Sequence, residues 1–249
     1  MNINILGMRV DVTDYAAAAE KISGWARAGE GRYVCVANVH MVMEAYDSAE
    51  FRAVVNEADL VVPDGMPLVW CMRLKGVEGQ GRVYGPQLTL RVLERAAEEG
   101  IPVGLLGGEA QVLEALTARL KERFPGLKVV FAHSPPFRPL SADEEARIVE
   151  GVRSSGARLL FIGLGCPRQE RWMAEHLGRV PAVMLGVGAA FDFLAGHKRQ
   201  APRWMQGAGL EWLFRLIQEP RRLWRRYLVQ NPRFIALNAA EWLGIIHPR

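Results

Sequence analysis

Asp64 stands in Val62-Pro63-Asp64-Gly65-Met66-Pro67, where an apolar run with strand character gives way to a helical pattern. A carboxylate held just beyond a strand can take the proton from an attacking hydroxyl, the work of a general base. A Pro-Asp-Gly turn in which Asp64 only caps the next helix accounts for the same residues equally well. Asn38 follows another apolar run and could either hydrogen-bond a hydroxylated substrate or cap the helix after it. His40, close to that helix start, reads as structural.

Three further turns place glycines where a strand meets a helix. Leu105-Leu106-Gly107-Gly108 would let backbone N–H groups approach a phosphate, although Gly107 and Gly108 also suit any tight turn. In Gly163-Leu164-Gly165-Cys166-Pro167-Arg168-Gln169-Glu170 the third glycine of the dinucleotide fingerprint is missing. No acid closes the next strand to hold a ribose either. The polar residues Arg168, Gln169 and Glu170 in a first helical turn nevertheless suit a nucleotide. Gly186-Val187-Gly188 leads to Asp192, which is either a second site carboxylate or an internal helix cap.

The chain contains no phosphate-loop motif, no Asp-x-Asp pair and no His/Cys cluster with ligand spacing. No metal site and no cofactor are therefore expected, and a departing diphosphate would rely on arginines and helix N-termini.

These loops need strands and helices to carry them. Apolar runs at 33–37, 59–62, 102–106, 127–131, 158–162 and 182–185 predict buried strands. Apolar residues at three- and four-residue spacing predict helices at 86–99, 110–124, 143–154 and 167–177, with Ser141 capping the third and Pro167 in the first turn of the fourth. One or two short strands around Gly7 and a helix opening near Thr13 or Asp14 precede them. The alternation predicts an α/β fold, a Rossmann-like, mostly parallel sheet with helices on both faces.

After Gly196 the strand pattern stops. Two or three helices follow, punctuated by Pro202, Pro220 and Pro232, so residues 1–195 read as the core and 196–249 as a helical, arginine-rich appendage. That tail holds ten Lys and Arg against three acids, leaving 21 basic and 24 acidic residues before it, so the net charge of +4 is a local feature of the C-terminus. Arginines interleaved with Trp and Tyr suit an anionic membrane surface. Helix packing on the core and single-stranded nucleic acid are the competing readings, the latter disfavoured by the high apolar content. The cysteines Cys35, Cys71 and Cys166 are odd in number and widely spaced, and no leader segment precedes them, which points to a reducing cytoplasm. No apolar stretch reaches the roughly 20 residues of a spanning helix.

In order and spacing these segments resemble the WecG/TagA/CpsF family of glycosyltransferases, which make bacterial surface polysaccharides. The resemblance rests on Asn38, Pro63-Asp64-Gly65, Arg82-Val83 with Gly85, Gly107-Gly108 and Gly163-x-Gly165-x-Pro167-x-Gln169-Glu170. It continues through Gly186-Val187-Gly188, Phe191-Asp192, Ala201-Pro202-Arg203 and Gly209-Leu210-Glu211-Trp212 with its arginine run. It implies a UDP-sugar donor, typically of N-acetylmannosamine or its uronic acid, and an N-acetylglucosamine acceptor on a polyprenyl diphosphate. Asp64 is then the base and Asn38 a substrate contact. Donor contacts fall to Arg82, Gly107, Gly108, Gly163, Gly165, Gln169, Glu170, Gly186 and Asp192. Arg215, Arg221, Arg222 and Arg225 contact the acceptor or diphosphate. The implied location is the inner face of the cell membrane, peripherally bound. Val36 stands where the family usually has Thr, and Gln87 where an acid is common, which leaves the donor sugar open. Homo-oligomerisation and a non-catalytic nucleotide-binding scaffold of the same fold also stay open.

Overall fold

The computed structural model describes residues 1–246. Arg249, counted above in the basic tail, lies outside them. Strands β1 (Asn2–Ile5) and β2 (Met8–Asp11) form an antiparallel hairpin. Leu6 and Gly7 both take positive φ between them, the backbone a two-residue hairpin turn demands.

The chain then alternates through α1 (Tyr15–Ala28), β3 (Arg32–Ala37), α2 (Val39–Asp47), α3 (Ala49–Asn56), β4 (Leu60–Pro63) and α4 (Met66–Leu74). It continues through α5 (Gly85–Glu99), β5 (Val103–Gly107), α6 (Ala110–Arg123), β6 (Val129–His133), α7 (Ala142–Ser155), β7 (Leu159–Gly163), α8 (Arg168–Glu175), β8 (Val183–Gly186) and α9 (Ala190–Ala195). Every predicted strand is present within a residue or two. The six strands from β3 to β8 lie in the order β4-β3-β8-β7-β5-β6, with parallel registers joining β3 to β8, β8 to β7, β7 to β5 and β5 to β6. The protein is an α/β fold built on a mostly parallel sheet flanked by helices. Strands β5 and β8 are buried along their whole length, which is why their sequences are unbroken apolar runs. At the edge of the sheet, β6 alternates between half-buried and exposed residues.

From Gln200 the chain is helical: α10 (Arg203–Gly207), α11 (Glu211–Gln218), α12 (Pro220–Trp224), a π turn over Arg225–Val229 and α13 (Gln230–Trp242). Pro202 precedes α10 and Pro220 opens α12, as punctuation should. Pro232 does not punctuate. It sits in the first turn of α13, and the π turn just before it spaces the backbone where Pro232 has no N–H to return.

The residues form two compact units. The first contains Met1–Asp14, Val36–Tyr84 and the helical segment from Gln200. The second contains Tyr15–Cys35 and Gly85–Arg199, and β3 runs through the division. Within the first unit, α13 is anchored by a two-bond Arg233–Asp47 pair at 2.6 Å, by Lys75–Glu241 at 2.6 Å and by buried Phe234. Leu223 and Tyr227, from the segment before it, are also buried. Within the second unit, Ser141 and Glu144 complete a capping box on α7. Pro167 stands immediately before α8, not inside its first turn, after a cis Cys166–Pro167 peptide.

Candidate active site

Two parallel strands bring the first candidates together. Ala37, the last residue of β3, accepts the N–H of Asp64 at 2.8 Å, so the loops that leave β3 and β4 run side by side. Pro63 accepts the N–H of Val83 at 2.8 Å, which lays the Arg82 segment along the end of β4. Asn38 begins α2 as its N-cap, its Oδ1 accepting from the Met41 N–H at 3.3 Å. The same oxygen accepts from Nη2 of Arg226 at 3.2 Å. Capping and a polar contact in the pocket are thus both open to this one side chain.

Asp64, Arg82 and Glu211 form an ionic group. Arg82 Nη2 donates to Asp64 Oδ1 at 3.1 Å and to Glu211 Oε2 at 2.7 Å, while its Nε donates to the Asp64 carbonyl and to Oδ1 at 3.3 Å. All three side chains are about 15 % exposed. Burial works against the Arg82 charge, yet the carboxylates of Asp64 and Glu211 hold its pKa above the ordinary arginine value. The guanidinium also lies 4.2 Å over the ring of Tyr84. Burial, and then the same two carboxylates, raise the Tyr84 phenol, which stays protonated.

Asp64, Arg82 and Glu211 line a small cavity of about 90 Å³ together with Asn38, His40, Arg215 and Arg226. Three guanidinium groups face two carboxylates there, so the cavity carries an excess positive charge suited to an anionic group. His40 Nδ1 lies 3.6 Å from Glu44, one turn along α2.

A second, larger cavity of about 640 Å³ shares Val39, Pro67, Gly209, Trp212, Tyr227 and Asn231 with the first. Its walls are apolar. Trp70, Leu74, Leu228, Ile235 and Trp242 line it while remaining 44–79 % exposed, an apolar surface that folding alone leaves unburied. Cys71 lies in this wall with its thiol pushed up to about 11, chiefly by burial.

The arginines of the tail divide. Arg215 lines the small cavity, and so does Arg226, which the sequence reading passed over. Arg221, Arg222 and Arg225 do not. All three are exposed, and Arg222 pairs with Glu219. Continuous α-helical spacing would put Arg222 and Arg226 on one face, but the π turn at Arg225–Val229 rotates the chain between them. Glu211 was quoted only as part of a motif. Its position in the first turn after a glycine was the available signal.

The second unit gathers the remaining candidates at the carboxyl ends of its strands. Gly107 has φ +113, and a Cβ there would lie 2.7 Å from the Gly163 backbone, so two strand ends touch main chain to main chain. A Cβ on Gly163 would strike Phe191 at 2.8 Å, and one on Gly186 would strike Gln169 at 2.9 Å. Gln169 is buried, accepts from the Gly165 N–H at 3.1 Å and donates to the fully buried Glu170 at 2.7 Å. A Cβ on Gly108 would make only ordinary contact with Phe191, and Asp192 pairs with Lys198 at 3.3 Å. Much of the close approach that these glycines allow is to the protein's own side chains.

Among the described residues no group of three or more His, Cys, Asp or Glu is placed to hold a metal, and no helix is long and apolar enough to cross a membrane. A model of the glycosyl transferase WecG/TagA/CpsF family matches residues 3–246.

Proposed function

Since the chain belongs to the WecG/TagA/CpsF family and is therefore a glycosyltransferase, we propose that it transfers a sugar from a UDP-sugar to a polyprenyl-diphosphate-linked acceptor by metal-independent, inverting displacement. The observation that carries this reading is Asp64 facing a cavity with three arginines. Asp64 takes the proton of the acceptor hydroxyl as that oxygen bonds to the anomeric carbon. The bond from that carbon to the diphosphate breaks on the opposite face, its electron pair leaves with UDP, and the configuration inverts. Guanidinium groups supply the charge stabilisation that a leaving diphosphate needs.

The apolar cavity that shares lining residues with this pocket supports an acceptor with a hydrocarbon tail. Such a tail would bury Trp70, Leu74, Ile235 and their neighbours. With the basic C-terminal helices it also supports peripheral attachment at the inner face of a membrane, and a place in surface polysaccharide synthesis. Donor contacts by Arg82, Gly107, Gly108, Gly163, Gly165, Gln169, Glu170, Gly186 and Asp192 are proposed on the family resemblance. The sugar follows as N-acetylmannosamine or a related hexose or uronic acid.

The test is UDP release from a panel of UDP-sugars, with and without N-acetylglucosamine on a polyprenyl diphosphate, in the presence of EDTA. Acceptor-dependent release unaffected by chelator supports the reading. Release that vanishes in EDTA and returns with Mn²⁺ contradicts its metal-free part. No release with any donor favours a nucleotide-binding scaffold.

A further inference from the structure

A base paired with an arginine is hindered, because the cation that binds its charged form must be given up when the proton arrives. Asp64 is in that position towards Arg82, whose Nε also donates to the Asp64 carbonyl, but of the two carboxylates Glu211 takes the shorter bond, 2.7 Å against 3.1 and 3.3 Å to Asp64 Oδ1. One guanidinium is therefore shared by two carboxylates, and its charge stays balanced by Glu211 after Asp64 is protonated.

The chain builds this arrangement locally. Gly209 has φ +72, and a Cβ there would lie 2.7 Å from the Trp70 ring and 3.4 Å from Met66, so only glycine lets this segment close onto α4. Two residues later Glu211 opens α11 with its side chain 13 % exposed. The other charged or titratable groups around Asp64 are Arg82 and Tyr84 after α4, Arg215 on α11, Arg226 in the π turn and His40 on α2. Among the described residues that line the small cavity, Glu211 is the carboxylate besides Asp64 that offsets the cations.

Resting on the reading of Asp64 as the base, we infer that Glu211 is a positioning residue for it: by holding Arg82, Glu211 keeps the Asp64 carboxylate available to a proton. Removing the Glu211 charge takes away the second carboxylate that Arg82 binds, which favours the ionised aspartate and makes it a weaker base.

The experiment is a ¹³C NMR titration of the side-chain carboxyls in the full-length protein labelled at aspartate, with the Asp64 signal assigned by its loss in Asp64→Asn. In Glu211→Gln the Asp64 midpoint falls by on the order of one pH unit, the size expected when a neighbouring cation loses its second partner. In Glu211→Asp, which keeps the charge, it stays within a few tenths of wild type. Glu211→Ala is the second neutral variant and must move the midpoint in the same direction, which decides the matter if the Gln variant does not fold. The acid limb of kcat/KM follows the midpoint downward, and the plateau falls by about 3- to 10-fold, a partial Brønsted response. A purely structural Glu211 would lower activity without moving either. An Asp64 midpoint unmoved or raised in the neutral variants overturns the inference. If it is unmoved while Asp64→Asn is inactive, Glu211 alone is misassigned. If Asp64→Asn turns over normally, the base reading itself fails.

Discussion

Arg226 and Asn38, 188 residues apart in the chain, meet through an Nη2–Oδ1 hydrogen bond of 3.2 Å in the lining of the small cavity. The bond joins the π turn near the C-terminus to the loop after the first strand of the large sheet. It also sets Arg226 apart from Arg221, Arg222 and Arg225, which lie outside the cavity. Arg226→Ala removes a charged hydrogen-bond donor from the cavity and should lower kcat/KM about 10- to 100-fold, equivalent to the roughly 1.5–3 kcal/mol of such a bond. Arg221→Ala, at an exposed position outside the cavity, should stay within a few-fold of wild type. Steady-state kinetics on both variants check this, and a larger loss at Arg221 than at Arg226 contradicts it.

Ile235 lines the apolar cavity and is 66 % exposed, so Ile235→Asp should fold normally. If a hydrocarbon tail lies there, the variant should raise KM for a long-chain lipid-linked acceptor about 10- to 100-fold, the worth of burying one aliphatic side chain. KM for a water-soluble, short-chain acceptor should hardly change. Equal effects on the two acceptors contradict the assignment.

The alternation of strands and helices was legible because parallel strands buried on both faces must be unbroken apolar runs, as 33–37 and 182–185 are. Asp64 could be found for a related reason: a polar residue just past such a run has nowhere to point but beyond the sheet. The roles of the tail arginines were less accessible. A regular α-helix would put Arg222 and Arg226 on one face, and the widened turn before Pro232 breaks that register. Glu211 was hidden because its importance lies in sharing Arg82 with Asp64, a contact across 129 residues that no local pattern encodes. The glycines at 163 and 186 mark tight strand-to-helix turns, but no local pattern shows that Phe191 and Gln169 fill the space beside them.

The capping box on α7 makes a prediction about pH. Glu144 is held at about 2, below its usual 4.5, first by Arg138 and then by the Ser141 N–H. A carboxylate lowered in the folded state stabilises it above the unfolded value, and that contribution is lost as pH falls from about 4.5 through about 2. Backbone ¹³Cα shifts of residues 142–145 should move toward coil values across that window. In Glu144→Gln the transition should be absent, and an unchanged transition in that variant contradicts the assignment.

The direct test of the account is turnover by Asp64→Asn. The substitution preserves size and removes the proton acceptor, so kcat should fall by on the order of 10²–10⁴ while UDP-sugar affinity, measured separately by calorimetry, stays near wild type. Near-normal kcat with donor binding intact would mean that another group takes the proton.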